Sequence, residues 1–542
     1  MTVLNKFSAK IYSFFSEIKP MPLVWSSFGL IMLELLIFLI VNPVFFRDSS
    51  EYLAALDAFR LHHWDLAFPP HLPTFYTGLA GPLCQIGIEP VRALVLISGV
   101  FTALTIFPLF GLLKKMLPEK QAAWGGILFA LFPDIIHCGV APLIDSGRFF
   151  FLTASLYLIF SMPTDKISWR KLCLLGLSYG ALALVRAEGI CFVAITTLLF
   201  CVLLYKDLFR KKKFSFRNLG RTALFILLPV ILMFLICSPR MYQMQRLTGY
   251  PCLDSRQIKP IKKITDRIIF KQKDPSTLAT DTEKKATENN RWKKRYWKNF
   301  FSSLNILYLP FSLLGLLLLL CRKKMTIYHW LMLLTMLLNS VLHYGLQAAA
   351  GRYFLANIIF LLPFTITGYT VVFEEAKKKS QLLAALGCAI AVSIAAIEVA
   401  RSMTTLDSGN AKDFRKAKNI FHNGGPLASI CNSGCQYPTV LLLGSDYGLG
   451  YYAEVNLVQY SNYPMGLADE KTIDDLLTDG VNKKYLKHCL EKNIPDHLYF
   501  DAVATCKQSL PELPNSKYIL QEQPFPQQNR LKLWKIIRIN KK

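Results

Sequence analysis

The sequence predicts an all-α polytopic transmembrane bundle of about eleven spans, followed by a small C-terminal α/β domain. Three observations carry that expectation. Only 18% of the 542 residues are charged and 53% are hydrophobic, with a mean hydropathy of +0.33, whereas a soluble chain has about a quarter charged. Apolar runs approach the thickness of a bilayer, as in Phe28–Val41 and Leu304–Leu320. Lysine and arginine concentrate in every second connection between those runs. A cytosolic enzyme, a disordered chain and a small disulfide scaffold are excluded.

Stretches near twenty residues place spans at 24–45, 92–113, 121–140, 142–162, 172–186, 189–205, 222–238, 303–321, 328–345, 353–373 and 381–400. The pair 172–186 and 189–205 is short enough for a tight or re-entrant hairpin. Thirteen cysteines are present. Cys173, Cys191, Cys201, Cys237 and Cys388 lie in apolar runs and read as small buried apolar residues. No C-x-x-C pair or zinc spacing occurs.

Residues 1–23 carry Lys6, Lys10 and Lys19, and no small-residue cleavage site follows the first run, which is expected to remain as an anchor. With that end inside, the inner connections hold twenty-two Lys/Arg and the short outer ones six. The positive-inside rule then makes the N-terminus cytoplasmic and the C-terminal segment extracytoplasmic. The net charge of +26 is largely absorbed by this topology, so no nucleic-acid partner is expected.

The bundle, 24–404, has two long outer loops, 46–91 and 239–302. The second carries 16 Lys/Arg against 6 Asp/Glu. It reads as a solvated basic loop or as a surface for lipid headgroups or a phosphorylated substrate. Ile258, Ile261, Ile264 and Ile268 recur at helical spacing among its lysines, as in an interfacial helix. Trp292, Tyr296, Trp297 and Phe300 read as an aromatic belt. Beyond 405, strand-like runs (Val440–Leu443, Leu498–Phe500, Tyr518–Leu520, Leu531–Ile539) alternate with polar stretches, and Thr472–Leu477 has helical composition. The segment 405–542 is therefore the α/β domain. Among its cysteines, Cys489 and Cys506 form a conceivable bridge, with free thiols at least as well supported.

Candidate chemistry collects in the outer connections. Asp48, Glu51, Asp57, Asp65 and Glu89 all fall in 46–91. A carboxylate just outside the bilayer can act as general base for a hydroxyl. Asp48 with Glu51 equally matches an N-cap with its capping partner, ahead of a stripe of Tyr52, Leu56 and Phe59, and spacing alone favours the cap. The second outer connection offers Asp134, His137, Asp145 and Arg148. Asp145 can be a solvated cap or the ion-pair partner of Arg148. Arg186-Ala187-Glu188-Gly189 lies in the third connection, and His343, Arg352 and Tyr353 in the fifth. Glu34, mid-way along the first span, is costly unless paired inside the bundle.

An ordered series of segments resembles a known group. Asp48-Ser49-Ser50-Glu51-Tyr52 follows the first span directly, and Phe68-Pro69-Pro70-His71-Leu72-Pro73 precedes the second. Leu131-Phe132-Pro133 through Asp145-Ser146-Gly147-Arg148, then Leu184-Val185-Arg186-Ala187-Glu188-Gly189, come next. Gly351-Arg352-Tyr353-Phe354 with Leu361-Leu362-Pro363 and Gly368-Tyr369 completes the series. Over residues 25–375 the chain resembles the GT-C class of integral-membrane glycosyltransferases, in the protein O-mannosyltransferase and lipid A aminoarabinose transferase-like group. It departs from that group's pattern at Phe68, where a basic residue is usual, and at Ala187, where proline is usual.

The resemblance implies transfer of a sugar from a polyprenyl-phosphate donor to an acceptor hydroxyl on a glycan, lipid or protein. Asp48 is then the catalytic base, acting with inversion. Asp145, Glu51 and His71 hold the acceptor or sugar. Arg352, Arg186, Arg148, Tyr353 and His343 hold the donor phosphate. No cofactor or metal is required, since the leaving phosphate is already anionic, although a divalent cation is compatible. Likeness to bacterial members points to an inner membrane, with membrane lipid as the surrounding partner. A transporter or flippase of a lipid-linked or polar solute is the alternative. It predicts ionisable groups at mid-membrane, where only Glu34 stands. A third reading, a non-catalytic assembly or receptor protein, predicts that Asp48 tolerates loss of its carboxylate.

Overall fold

The protein is seen here as a computed structural model. It describes residues 18–41, 47–60, 62, 64–70, 72–139, 144–162, 167–186, 188–210, 216–257, 292–301, 304, 308–345, 351–380, 393 and 397. In the last part of the chain it describes the strands at 439–442, 456–459, 497–501, 518–523 and 533–538.

Helix α1 is Pro20–Val41 and α2 is Arg47–Arg60. The short α3 (Trp64–Ala67) and then α4 (Thr74–Gln85) lead to α5 (Pro90–Leu113). Next come α6 (Glu119–Ala130), α7 (Pro133–Gly139), α8 (Asp145–Ser161), α9 (Trp169–Val185), α10 (Gly189–Arg210) and α11 (Phe216–Thr248). The later helices are α12 (Leu309–Cys321), α13 (Ile327–Gly345), the single turn α14 (Gly351–Phe354) and α15 (Ala356–Lys379). Five are long and apolar enough to cross a membrane: Pro20–Ile40, Pro90–Leu113, Gly189–Lys206, Thr222–Thr248 and Ala356–Lys379. Helices occupy ten of the eleven expected spans, and 381–400 falls outside the described residues apart from 393 and 397. The 172–186 and 189–205 pair forms two helices of 17 and 22 residues.

Two boundaries differ from expectation, both at prolines. The span expected at 121–140 is two helices. Pro133 starts α7, and a residue before proline is pushed out of the α region. The span expected to stop at 238 runs on through Pro239 to Thr248. Its stop is Gly249, whose φ of +84° is the left-handed conformation that ends helices. The first ten residues of the expected 239–302 loop are therefore helical. A third difference concerns Cys173, which is exposed, while Cys191 and Cys201 are half-buried and Cys237 is buried. A helix surface that faces lipid need not hide its apolar residues inside the protein.

The chain divides into two compact units. One comprises residues 1–41, 98–236 and 272–405, and the other 42–97, 237–271 and 406–542. In the first, α12 crosses α15 at glycine. A Cβ on Gly315 would meet the carbonyl oxygen of Phe364, and one on Gly368 that of Phe311. The crossing is sealed by Phe311 stacked on Tyr369 at 3.9 Å and by a 2.7 Å hydrogen bond between the Ser312 and Thr365 hydroxyls. Small residues at a helix contact let backbones approach where lipid supplies no hydrophobic drive.

In the second unit, Tyr52, Leu53, Leu56 and Phe59 of α2 form a buried stripe, and the Phe59 ring covers Gly81 of α4. The strands β1 (Thr439–Leu442), β2 (Asn456–Gln459), β3 (His497–Asp501), β4 (Tyr518–Gln523) and β5 (Leu533–Arg538) make one sheet of order β2-β1-β3-β5-β4. β1 pairs in parallel with β2 and β3, and β5 pairs antiparallel with β3 and β4. Strands lie on the four expected runs, and β2 is additional. Thr472–Leu477 and the cysteines of this segment fall outside the described residues. Edge strand β2 runs beside α2 and α3.

Gly368→Val is expected to lower the unfolding free energy by about 2–3 kcal/mol, through overpacking at the α12–α15 crossing. Gly29→Ala in α1, where an added Cβ meets nothing within 4 Å, is expected to be neutral or stabilising by up to about 1 kcal/mol. Denaturant unfolding in detergent, followed by circular dichroism, measures both.

Candidate active site

Six of the expected site residues converge within the first unit. Asp145 is the first residue of α8, where a carboxylate suits the positive end of the helix dipole. It is not a solvated cap, because its side chain is fully buried. One turn on, Arg148 is equally buried and places Nη2 3.0 Å from Asp145 Oδ1. Arg186 Nη1 donates to the same oxygen at 2.6 Å. The ion pair foreseen with Arg148 is therefore half of a buried two-arginine clamp.

Arg186 reaches Asp145 because of the turn it opens. Helix α9 ends at Val185, and Arg186 is extended (φ −150°, ψ 149°). The chain returns at once through Gly189, whose N–H donates to the Arg186 carbonyl at 2.9 Å. A Cβ on Gly189 would strike the Leu182 carbonyl, so only glycine permits so sharp a return. In that turn Arg186 Nε donates to Glu188 Oε1 at 2.7 Å. The guanidinium thus bridges two carboxylates.

Arg148 extends the cluster to α14, since its Nη2 also donates to the Arg352 carbonyl at 2.7 Å. The next residue, Tyr353, offers its ring to two cations. The Arg186 guanidinium lies 4.9 Å from its centroid and that of Arg352 5.6 Å. The same ring stacks on His343 at 5.3 Å, with an interplanar angle of 22°. His343, on α13, is fully buried and also contacts Phe354 and Phe192.

Among the described residues, two carboxylates (Asp145, Glu188) are bonded or ion-paired to two guanidiniums (Arg148, Arg186), and a third guanidinium, Arg352, lies on the shared Tyr353 ring. Among the described residues, Asp145 Oδ2, Arg148 Nε and Nη1, and both ring nitrogens of His343 have no hydrogen-bond partner. Such atoms are costly to bury unpaired. The arrangement offers several donors, the Asp145 Oδ2 acceptor and a group of guanidiniums suited to an anionic, oxygen-rich ligand. Among the described residues no three His, Cys, Asp or Glu side chains are grouped to hold a metal.

The remaining expected residues are less fully placed. Asp48 and Glu51 are on α2, and their side chains lie outside the described residues, as do His71 and the side chain of His137. The described part of α2 runs from Arg47 to Arg60 and includes both residues.

No family model and no curated protein matches the chain. Solved structures do. ArnT from Cupriavidus metallidurans bound to undecaprenyl phosphate matches with a TM-score of 0.54 at 11% identity, over 94% of this chain and 97% of that one. Its apo state matches at 0.52 and 12%, over 94% and 98%. The archaeal oligosaccharyltransferase AglB from Archaeoglobus fulgidus, in complex with an inhibitory peptide and a dolichol-phosphate, matches at 0.51 and 12%, over 88% and 69%. The fold is the GT-C fold.

Within this GT-C fold, two residues of consequence were not singled out from the sequence. Glu188 was visible only as part of a turn. Arg240 and its partner Gln243 fall in the expected 239–302 loop, because the apolar run ends at 238. The available signal was the unbroken apolar and polar pattern from Thr222 to Thr248, with no glycine before 249.

Asp145→Ala strands two buried guanidiniums and is expected to cost about 3–5 kcal/mol. Combining it with Arg186→Met is expected to restore part of that loss, since the second change removes a stranded charge. A double-mutant cycle on unfolding in detergent reads the coupling.

Proposed function

We propose that the chain is a membrane glycosyltransferase that moves a sugar from a polyprenyl-phosphate donor to an acceptor hydroxyl. The observation that carries this is the buried Asp145–Arg148–Arg186 cluster beside Arg352, with Arg148 donors unpartnered among the described residues. A phosphate diester or monoester supplies the anion and the several acceptor oxygens those donors lack. The shared fold supports it, since the ArnT structure contains undecaprenyl phosphate and the AglB structure a dolichol-phosphate with a peptide.

In this reading Arg148, Arg186 and Arg352 stabilise charge on the departing lipid phosphate, with Tyr353 and His343 fixing the guanidiniums and the ring stack beside them. Asp48 removes the acceptor's proton as its oxygen attacks the anomeric carbon, and the lipid phosphate leaves with the bonding electrons. Glu51, His71 and Asp145 hold acceptor or sugar, Asp145 through its unpartnered Oδ2. The acceptor is a glycan, lipid or protein. No cofactor is needed, and a divalent cation is compatible.

Topologically the reading is an integral protein of about eleven spans in a bacterial inner membrane. The N-terminus is cytoplasmic and 405–542 is an extracytoplasmic α/β domain that helps position the acceptor. Strand β2 beside α2, the helix bearing Asp48, supports that last role. The transport alternative draws on Glu34, buried in α1 with Oε2 unpartnered among the described residues.

Purified protein in lipid, offered radiolabelled polyprenyl-phosphate sugars and an envelope acceptor extract, tests the reading. Asp48→Asn is expected to lower transfer about a hundredfold or more at unchanged folding. Equal transfer by both proteins removes Asp48 as the base, and no transfer by either favours transport. Arg352→Ala is expected to raise the donor KM about tenfold or more, by removing a charge-assisted contact worth about 1.5–3 kcal/mol. A titration of donor at saturating acceptor measures it.

A further inference from the structure

Residues 68–73, Phe68-Pro69-Pro70-His71-Leu72-Pro73, contain three prolines. A segment so poor in N–H groups cannot satisfy its own carbonyls, and Pro69, Pro70 and Leu72 are buried. Donors must come from elsewhere. Most come from one side chain, with Gln243 Nε2 adding a longer bond to the Phe68 carbonyl at 3.4 Å. Arg240, on α11 and 5% exposed, donates from Nη1 to the Phe68 carbonyl at 3.0 Å. Its Nη2 donates to the carbonyls of Pro69 at 2.8 Å and Leu72 at 3.1 Å.

The remaining hydrogens are also used. Nε donates to the Leu253 carbonyl at 3.1 Å, and Nη1 to Gln243 Oε1 at 2.7 Å. A guanidinium has five N–H donors in a fixed plane, and here every one has a partner. The Pro70 carbonyl is taken by the Ser255 N–H at 2.9 Å, from the segment Arg240 itself holds at Leu253. Among the described residues, the backbone within the segment contributes one bond, Leu72 N–H to the Pro69 carbonyl at 3.2 Å. The segment's conformation is therefore set from outside, by a planar fork that lysine cannot reproduce.

We propose that Arg240 is a positioning residue for the acceptor side of the site. It holds the carbonyls of Phe68, Pro69 and Leu72, the described neighbours of His71, without itself touching substrate. The proposal rests on the reading of that segment as acceptor-binding given above. Helix α11 is the rigid arm and Arg240 the clamp, so acceptor affinity depends on a residue 171 positions away from Pro69 along the chain.

The test uses full-length Arg240→Lys and Arg240→Gln in lipid. Lysine keeps the charge but has three donors on a flexible stem. Both variants are expected to raise the acceptor KM about tenfold or more while the donor KM stays within about twofold, as misplacement of a positioning element does. Hydrogen–deuterium exchange is expected to accelerate at least about tenfold in the peptide spanning 66–78, with α8 and α9 unchanged. A role in stability alone would lower the yield of folded protein and leave both KM values where they were, and that result overturns the proposal. So does wild-type acceptor KM in Arg240→Lys, whether or not exchange at 66–78 rises. A wild type that transfers no sugar at all defeats the glycosyltransferase reading instead, and exchange at 66–78 then decides separately whether Arg240 clamps the segment.

Discussion

A charge removed from water must be matched, and the Asp145 carboxylate is where this molecule does the matching. One oxygen, Oδ1, takes bonds from two guanidiniums. Through Arg186 it fixes the turn between α9 and α10, and through Arg148 it fixes the carbonyl of Arg352 and so the start of α14. Tyr353 and then His343 are placed as a consequence, because the ring they share lies against the same guanidiniums. No part of this cluster is a regular element in its own right. It is assembled from helix ends, where backbone groups are free to be bonded by side chains.

The same logic governs the polar backbone. A proline-rich segment cannot bond to itself, so it borrows donors from a helix, and the helix must be long enough to deliver them. That is why the end of α11 matters. Had the helix stopped at Pro239, Arg240 would lack the rigid base that lets one side chain meet four main-chain carbonyls. Proline inside a membrane helix is tolerated when neighbours re-satisfy the freed groups. Proline at position 133 instead begins a helix, after Phe132 has left the helical region.

This contrast marks the limit of what the sequence makes legible. Apolar period and length reveal the helices, because burial and lipid exposure both demand long apolar runs, and helices stand at ten of the expected spans. The identities in the cluster were also readable, since Asp145, Arg148, Arg186, His343 and Arg352 are polar groups at the mouths of apolar runs. Their partnerships were not. That Arg186 bridges Asp145 and Glu188 depends on a glycine return visible only as a steric fact at Leu182. Arg240 was hidden because it lies past the end of the apolar run, in a polar continuation that apolar length does not count as helix. Neither α12–α15 glycine contact could be read either, since a small residue in an apolar run says nothing about which backbone will approach it.

Buried ion pairs are poor evidence of stabilisation, because well-packed apolar residues of similar volume often do as well or better. The cluster must therefore be explained by something other than stability. Its composition narrows the choice. A purely structural network tends to be balanced and fully bonded, since each unpaired donor costs free energy. Among the described residues, this one leaves Arg148 Nε and Nη1, Asp145 Oδ2 and the His343 ring nitrogens unbonded. Donors and acceptors are both among them, and on the reading proposed above they are the atoms that meet a phosphate-linked sugar, its phosphate oxygens at the guanidiniums and a hydroxyl at Oδ2.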